Sequence, residues 1–86
     1  MLNTYIVTFV AEPSDDELEK DPKAGLATCD VSLDSHMEVE DVAAGDYDAH
    51  EWLTRRARRI AVLARSWEAV HITLPNGDVV ATPAGL

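Results

Sequence analysis

The chain has 86 residues and a formal net charge of −9, and its length indicates one small domain over 1–86. Its apolar content of 47% argues against a disordered acidic tail. Its single cysteine, Cys29, excludes an internal disulfide and favours a reducing, cytoplasmic setting. No stretch reaches the roughly 18 apolar residues of a membrane span, and no basic residue precedes the first apolar run, so we expect neither a membrane segment nor a signal peptide.

The first predicted elements are a strand and an acidic loop. Residues 5–10 are mainly β-branched or aromatic, which predicts a strand. Residues 12–25 contain two prolines, a glycine and eight charged side chains, which predicts an exposed acidic loop. Within this loop we expect one helical turn at 15–20, capped by Ser14.

The next segment alternates between apolar and polar residues, as a half-buried strand does. Its two sides are Ala27, Cys29, Val31 and Leu33 against Thr28, Asp30, Ser32 and Asp34.

The segment 36–43 supports two interpretations. Met37 and Val39 alternate with Glu38 and Glu40, which favours a third strand or a bulged continuation of the second. A helix is the open alternative.

A long helix is predicted over 49–67, where Asp48 and Glu51 have the spacing of a capping box. Its apolar arc starts at Trp52 and predicts the side that packs on the sheet. The members of this arc are Leu53, Ala57, Ile60, Ala61, Leu63, Ala64 and Trp67.

A hairpin completes the predicted fold. Strands at 69–74 and 79–82 flank Asn76 and Gly77, a pair typical of a type I′ turn. The expected fold class is α+β: a two-layer sandwich with an antiparallel sheet of four to five strands and one long helix on one face, in the order β-β-β-α-β-β.

An acidic outer face of the sheet is the first candidate partner-binding surface. Carboxylates gathered there attract cationic partners through long-range, salt-sensitive forces. The alternative is a solvated face that only keeps the protein soluble. The predicted members are Asp30, Asp34, Glu38, Glu40 and His71.

The helix provides a second candidate surface, for a partner, a homodimer or nucleic acid. Its polar side carries Arg55, Arg58, Arg59 and Arg65, with Val62 among them. Four arginines can neutralise several phosphates, but a protein of net charge −9 repels a polyanion. We therefore expect these arginines to bridge nearby acids and do not expect direct nucleic-acid binding. Arg56 lies one turn from Trp52 and is expected at the edge of the core.

No pattern indicates catalysis, a cofactor or a metal. Cys29 falls on the apolar side of its strand, as a core residue would. The short runs at 36–38 and 46–50 mix carboxylates and imidazoles without matching a zinc or calcium loop. We therefore predict a protein that is not an enzyme and binds neither cofactor nor metal.

In size, acidity and element order, the chain resembles small acidic accessory proteins that phages encode to bind and disable host machinery, anti-CRISPR and anti-restriction proteins among them. The resemblance covers general scale and layout, and carries over no site residue. It implies a non-catalytic protein in the cytoplasm of a bacterial or phage-infected cell, offering carboxylates in place of phosphates to a basic host protein.

Overall fold

The computed structural model describes residues 1–64 and 66–86. Four antiparallel strands form one sheet in the order β2-β1-β3-β4, which confirms the α+β fold with a helix packed on an antiparallel sheet. The strands are β1 (Asn3–Ala11), β2 (Ala27–Ser35), β3 (Glu68–Thr73) and β4 (Val79–Ala81). The helices are α1 (Asp15–Lys20), α2 (Val39–Ala43) and α3 (Tyr47–Ala61). Among the described residues, no helix has the length and apolar character needed to cross a bilayer.

The first two strands form a long hairpin with α1 in the connection. They pair without a break from Asn3 opposite Ser35 to Ala11 opposite Ala27. The predicted helical turn is confirmed: the Ser14 hydroxyl accepts a hydrogen bond from the Glu17 amide at 3.2 Å. No residue of α1 is buried, so this acidic helix is presented to solvent.

The core lies between the sheet and α3. Tyr5, Val7 and Phe9 of the central strand are fully buried, and Leu53 of α3 packs in the same cluster. The alternation predicted for β2 is also confirmed, because Val31 and Leu33 are buried while Asp30 and Asp34 are exposed.

The strand interpretation of 36–43 is wrong, because this segment contains helix α2. The Ser35 hydroxyl accepts the Met37 amide at 3.0 Å and turns the chain away from the sheet. Val42 is buried and Val39 is partly buried. These two valines are three residues apart, which places them on the same side of a helix. Glu38 and Glu40 are therefore not members of the sheet.

Helix α3 is shorter than predicted and begins earlier. Its N-cap is Asp46, whose Oδ2 accepts the Ala49 amide at 3.0 Å. Its C-cap, Val62, has left-handed backbone geometry with φ 53°. The Leu63 amide then donates to the Arg58 carbonyl at 3.0 Å, closing a Schellman-type end. The chain can no longer continue as a helix to Trp67.

The buried side of α3 is also rotated from the predicted arc. Trp52 is 47% exposed and Ile60 is 53% exposed, so their prediction as core residues is wrong. In this orientation a 2.8 Å hydrogen bond between His50 Nε2 and the Val42 carbonyl joins α3 to α2. The residues that α3 buries are Ala49, His50, Leu53, Thr54 and Ala57.

The β3–β4 turn is not of type I′. Only Gly77 of the central pair has positive φ, 93°, whereas type I′ requires positive φ at both central positions. The Gly77 amide donates to the Leu74 carbonyl at 2.9 Å, and the Leu74 amide to the Asp78 carbonyl at 2.8 Å. This pattern is that of a three-residue loop with a glycine bulge.

Candidate functional site

One face of the sheet is left open, since α3 packs on the other. Strand alternation places Thr4, Ile6, Thr8 and Val10 of the central strand on the open face. Thr8 is only 7% exposed because its cross-strand neighbours flank it on both sides. The face is thus a shallow surface rather than a cleft, suited to contact with another macromolecule.

Two carboxylates on this face are fixed by threonines of the neighbouring strand. The Thr8 hydroxyl donates to Asp30 Oδ1 at 2.6 Å, and the Thr4 hydroxyl donates to Asp34 Oδ1 at 2.6 Å. Each carboxylate keeps acceptor capacity toward solvent. The two acids are four residues apart in one strand, which separates them by about 13 Å. The two carboxylates are fixed negative charges on a face that is otherwise rich in hydroxyl groups.

His71 lies on the same face, across the central strand from Asp30. Thr8 is paired with Asp30 on one side and with His71 on the other. The three side chains therefore form one row across the sheet, with Asp30 and His71 too far apart to touch directly. With Asp34, which lies further along β2, the open face carries three of the five predicted members of the acidic surface: Asp30, Asp34 and His71.

The remaining two members lie elsewhere. Glu38 is the N-cap of α2 without a side-chain capping bond, and Glu40 is in its first turn; both are exposed. They follow the end of β2 rather than lining its outer face. The predicted single cluster is thus divided between the open sheet face and α2.

The predicted arginine surface is divided as well. Arg55 is 75% exposed and its Nη2 lies 3.7 Å from Glu51 Oε1, the bridge expected from their spacing. Arg59 is exposed, and Val62 is 87% exposed. Arg65 lies outside the described residues.

Arg58 has a structural role instead. Its Nη1 donates to the Ala64 carbonyl at 3.3 Å and its Nη2 donates to the main-chain oxygen of Leu86 at 3.1 Å. The guanidinium carbon lies 5.1 Å from the centroid of the Phe9 ring, within the range of a cation–π contact. Arg58 therefore covers the core and holds the C-terminal segment, 82–86.

One side of α3 has an exposed stripe that the sequence pattern did not predict. Trp52, Arg56 and Ile60 are spaced by four residues and are all exposed, so they lie one above another on one side of the helix. A depression of about 180 Å³ on this side is lined by Trp52, Arg55, Arg56 and Arg59. The predicted apolar arc did not indicate this surface, because it placed Trp52 and Ile60 in the core.

A larger groove separates α3 from β3 and the C-terminal segment. It measures about 630 Å³, and its lining includes Thr54, Arg58, Val70, Thr82 and Leu86. Thr54 is 2% exposed and its buried hydroxyl has no hydrogen-bond partner in the structure. The Thr82 hydroxyl, in contrast, donates to the Ala69 carbonyl at 2.8 Å.

The described residues contain no group of three or more His, Cys, Asp or Glu side chains that could hold a metal ion. Cys29 is a partly buried free thiol that packs against the core. Burial raises the pKa of the Tyr5 hydroxyl above the ordinary 10.0. The Asn3 side chain lowers this pKa, and the carboxylates of Glu38 and Asp41 raise it. The Tyr5 side chain is fully buried, so its role is structural.

Comparison with known proteins yields no match to a family model, to a curated protein or to a solved structure. Function is therefore inferred from the geometry of the chain itself.

Proposed function

We propose that this protein is a non-catalytic binding protein whose open sheet face contacts a basic partner protein. The observation that carries the proposal is the pair of carboxylates, Asp30 and Asp34, each held by a threonine hydroxyl at 2.6 Å on an uncovered sheet. A carboxylate fixed before binding loses little side-chain entropy when a lysine or arginine approaches it.

The composition of the open face supports a macromolecular partner. Ile6 and Val10 are partly buried between the polar rows, so they offer apolar contact at the centre with acids along one side. Interfaces commonly combine an apolar centre with a polar rim. The net charge of −9 adds long-range attraction for a basic partner and accelerates its association at low salt.

Charge reversal at two positions tests this proposal. The double variant Asp30→Lys/Asp34→Lys is compared with wild type in a pull-down from bacterial lysate, followed by mass spectrometry and by titration with the captured protein once it is purified. We expect one protein to be captured at stoichiometric amount by wild type and lost with the variant. Circular dichroism checks that the variant is folded.

A matched control separates the face from overall charge. The variant Glu38→Lys/Glu40→Lys changes the net charge equally but alters α2, and we expect it to retain the partner. Equal loss with both variants would mean that total charge, not the sheet face, drives capture. The proposal would also fail if the Asp30/Asp34 variant bound as tightly as wild type at moderate salt.

A further inference from the structure

The exposed stripe of α3 has the composition of a protein interface. We define the Trp52 face as Trp52, Arg55, Arg56, Arg59 and Ile60. Its two large apolar side chains are about half exposed, at 47% and 53%. Tryptophan and arginine are among the residues most enriched at the energetic centres of interfaces. Exposed Trp52, with exposed Ile60 two turns further along the helix, is apolar surface that a partner would remove from water.

The Trp52 face is also a local excess of positive charge in an acidic protein. Among the described residues, the ion pair found is Arg55 with Glu51. Arg56 and Arg59 are exposed and have no carboxylate within 4 Å in the described part of the chain. This charge favours an acidic occupant.

Helix α1 of the same chain is acidic and complementary to the Trp52 face. In α1, Asp15, Leu18 and Glu19 are spaced i, i+3 and i+4 and so share one side of the helix. Leu18 is 39% exposed, and no residue of α1 is buried. An apolar side chain flanked by carboxylates is complementary to a tryptophan flanked by arginines.

The position of α1 leaves it free to reach a neighbour. It lies in the connection at one end of the β1–β2 hairpin, in a molecule that measures 47 × 21 × 21 Å. The depression on the Trp52 face, of about 180 Å³, has the Trp52 side chain in its lining, which offers Leu18 an apolar contact.

We propose that α1 of a second copy docks on the Trp52 face, with Leu18 in the depression and Asp15 and Glu19 against Arg56 and Arg59. In a two-fold symmetric dimer, α1 of each copy docks on the Trp52 face of the other, so that both contacts form together. This surface shares no residue with the open sheet face, so either proposal can fail without the other.

Charge swapping tests the pairing. The face variant is Arg56→Glu/Arg59→Glu and the α1 variant is Asp15→Lys/Glu19→Lys. By sedimentation equilibrium at low salt, we expect wild type to dimerise and each variant alone to be monomeric, because like charges then meet at both contacts. A 1:1 mixture of the two variants should recover a heterodimer, since each α1 again meets a face of opposite charge. Each variant's fold is checked by circular dichroism.

Recovery of a heterodimer in the mixture would exclude the net charge of the variants as the cause of dimer loss. The two double reversals shift the net charge of −9 by four in opposite directions, so both variants stay net negative and repel at long range. The control variant Glu38→Lys/Glu40→Lys should dimerise as wild type does. Leu18→Ala should weaken the dimer at least tenfold without altering charge.

Three results would overturn the proposal. Wild type that stays monomeric at low salt at the highest soluble concentration shows that the face is not a self-contact. A dimer that survives both charge reversals lies on another surface. A mixture that remains monomeric, with both variants folded, shows that α1 and the Trp52 face are not partners.

Discussion

The Tyr5 hydroxyl donates a hydrogen bond of 2.6 Å to the main-chain carbonyl of Met37. The Asn3 side-chain amide donates to the same oxygen at 3.2 Å. Two residues of the central strand therefore hold the chain where it leaves β2 and enters α2. This attachment places α2 beside α3, which in turn buries His50.

Tyr5 should make the protein less stable in alkaline solution. The folded-state pKa of its hydroxyl lies above 10.0, mainly because burial disfavours the phenolate. Its contribution is therefore fully present below about pH 10 and is lost as pH rises through the folded pKa. We expect Tyr5→Phe to cost about 1 kcal/mol near neutral pH. This difference should shrink above pH 10, as followed by urea unfolding. Tyr47→Phe, at an exposed tyrosine, is the control, and a difference that does not change with pH would contradict the prediction.

Val62→Gly should stabilise the protein. Val62 has φ 53° and is 87% exposed, so glycine relieves the left-handed strain while removing almost no packing. The expected gain in the free energy of unfolding is about 0.5–1 kcal/mol, after allowing for the greater chain entropy of glycine. Chemical denaturation measures it. Val79→Gly, at another exposed valine but in a strand, should instead destabilise, and loss of stability in both variants would show that Val62 is not strained.

Thr54→Val should raise the free energy of unfolding by about 1 kcal/mol, because it replaces a buried hydroxyl that has no partner with a methyl group of similar shape. Thr8→Val is the matched comparison and should cost about 1 kcal/mol, since the Thr8 hydroxyl donates to Asp30. Thermal unfolding of the two variants decides the matter. Destabilisation by Thr54→Val would reveal that the hydroxyl has a partner in solution.

Arg58→Ala should destabilise the protein by about 1–2 kcal/mol, because it uncovers Phe9 and removes the bond to Leu86. It should also speed hydrogen exchange at the Ala69 amide, which donates to the same Leu86 oxygen at 3.4 Å. Arg59→Ala, on the exposed side, should change the stability of the monomer, measured in dilute solution, by less than about 0.5 kcal/mol. Equal effects of the two substitutions on stability would contradict a structural role for Arg58.

Local patterns were sufficient for the fold class and for much of the sheet. The alternation along 26–34 correctly separates Val31 and Leu33 from Asp30 and Asp34, because side-chain direction in a strand follows from the chain's own period of two. The Ser14 cap was predictable for a similar reason, since it depends on residues within one turn. The short alternation around Met37 was ambiguous, because four residues also fit one turn of a helix.

The composition of the candidate surfaces was decided by tertiary structure. The sequence alone determined that the chain is acidic, has an antiparallel α+β fold and places Asp30 and Asp34 on one side of a strand. Only packing decided that Trp52 and Ile60 face solvent, that Arg58 holds Leu86, and that Glu38 and Glu40 leave the sheet. A helical wheel orders residues by angle but does not fix which angle meets the sheet. That rotation depends on contacts with other elements, such as that of His50 in α3 with Val42 in α2.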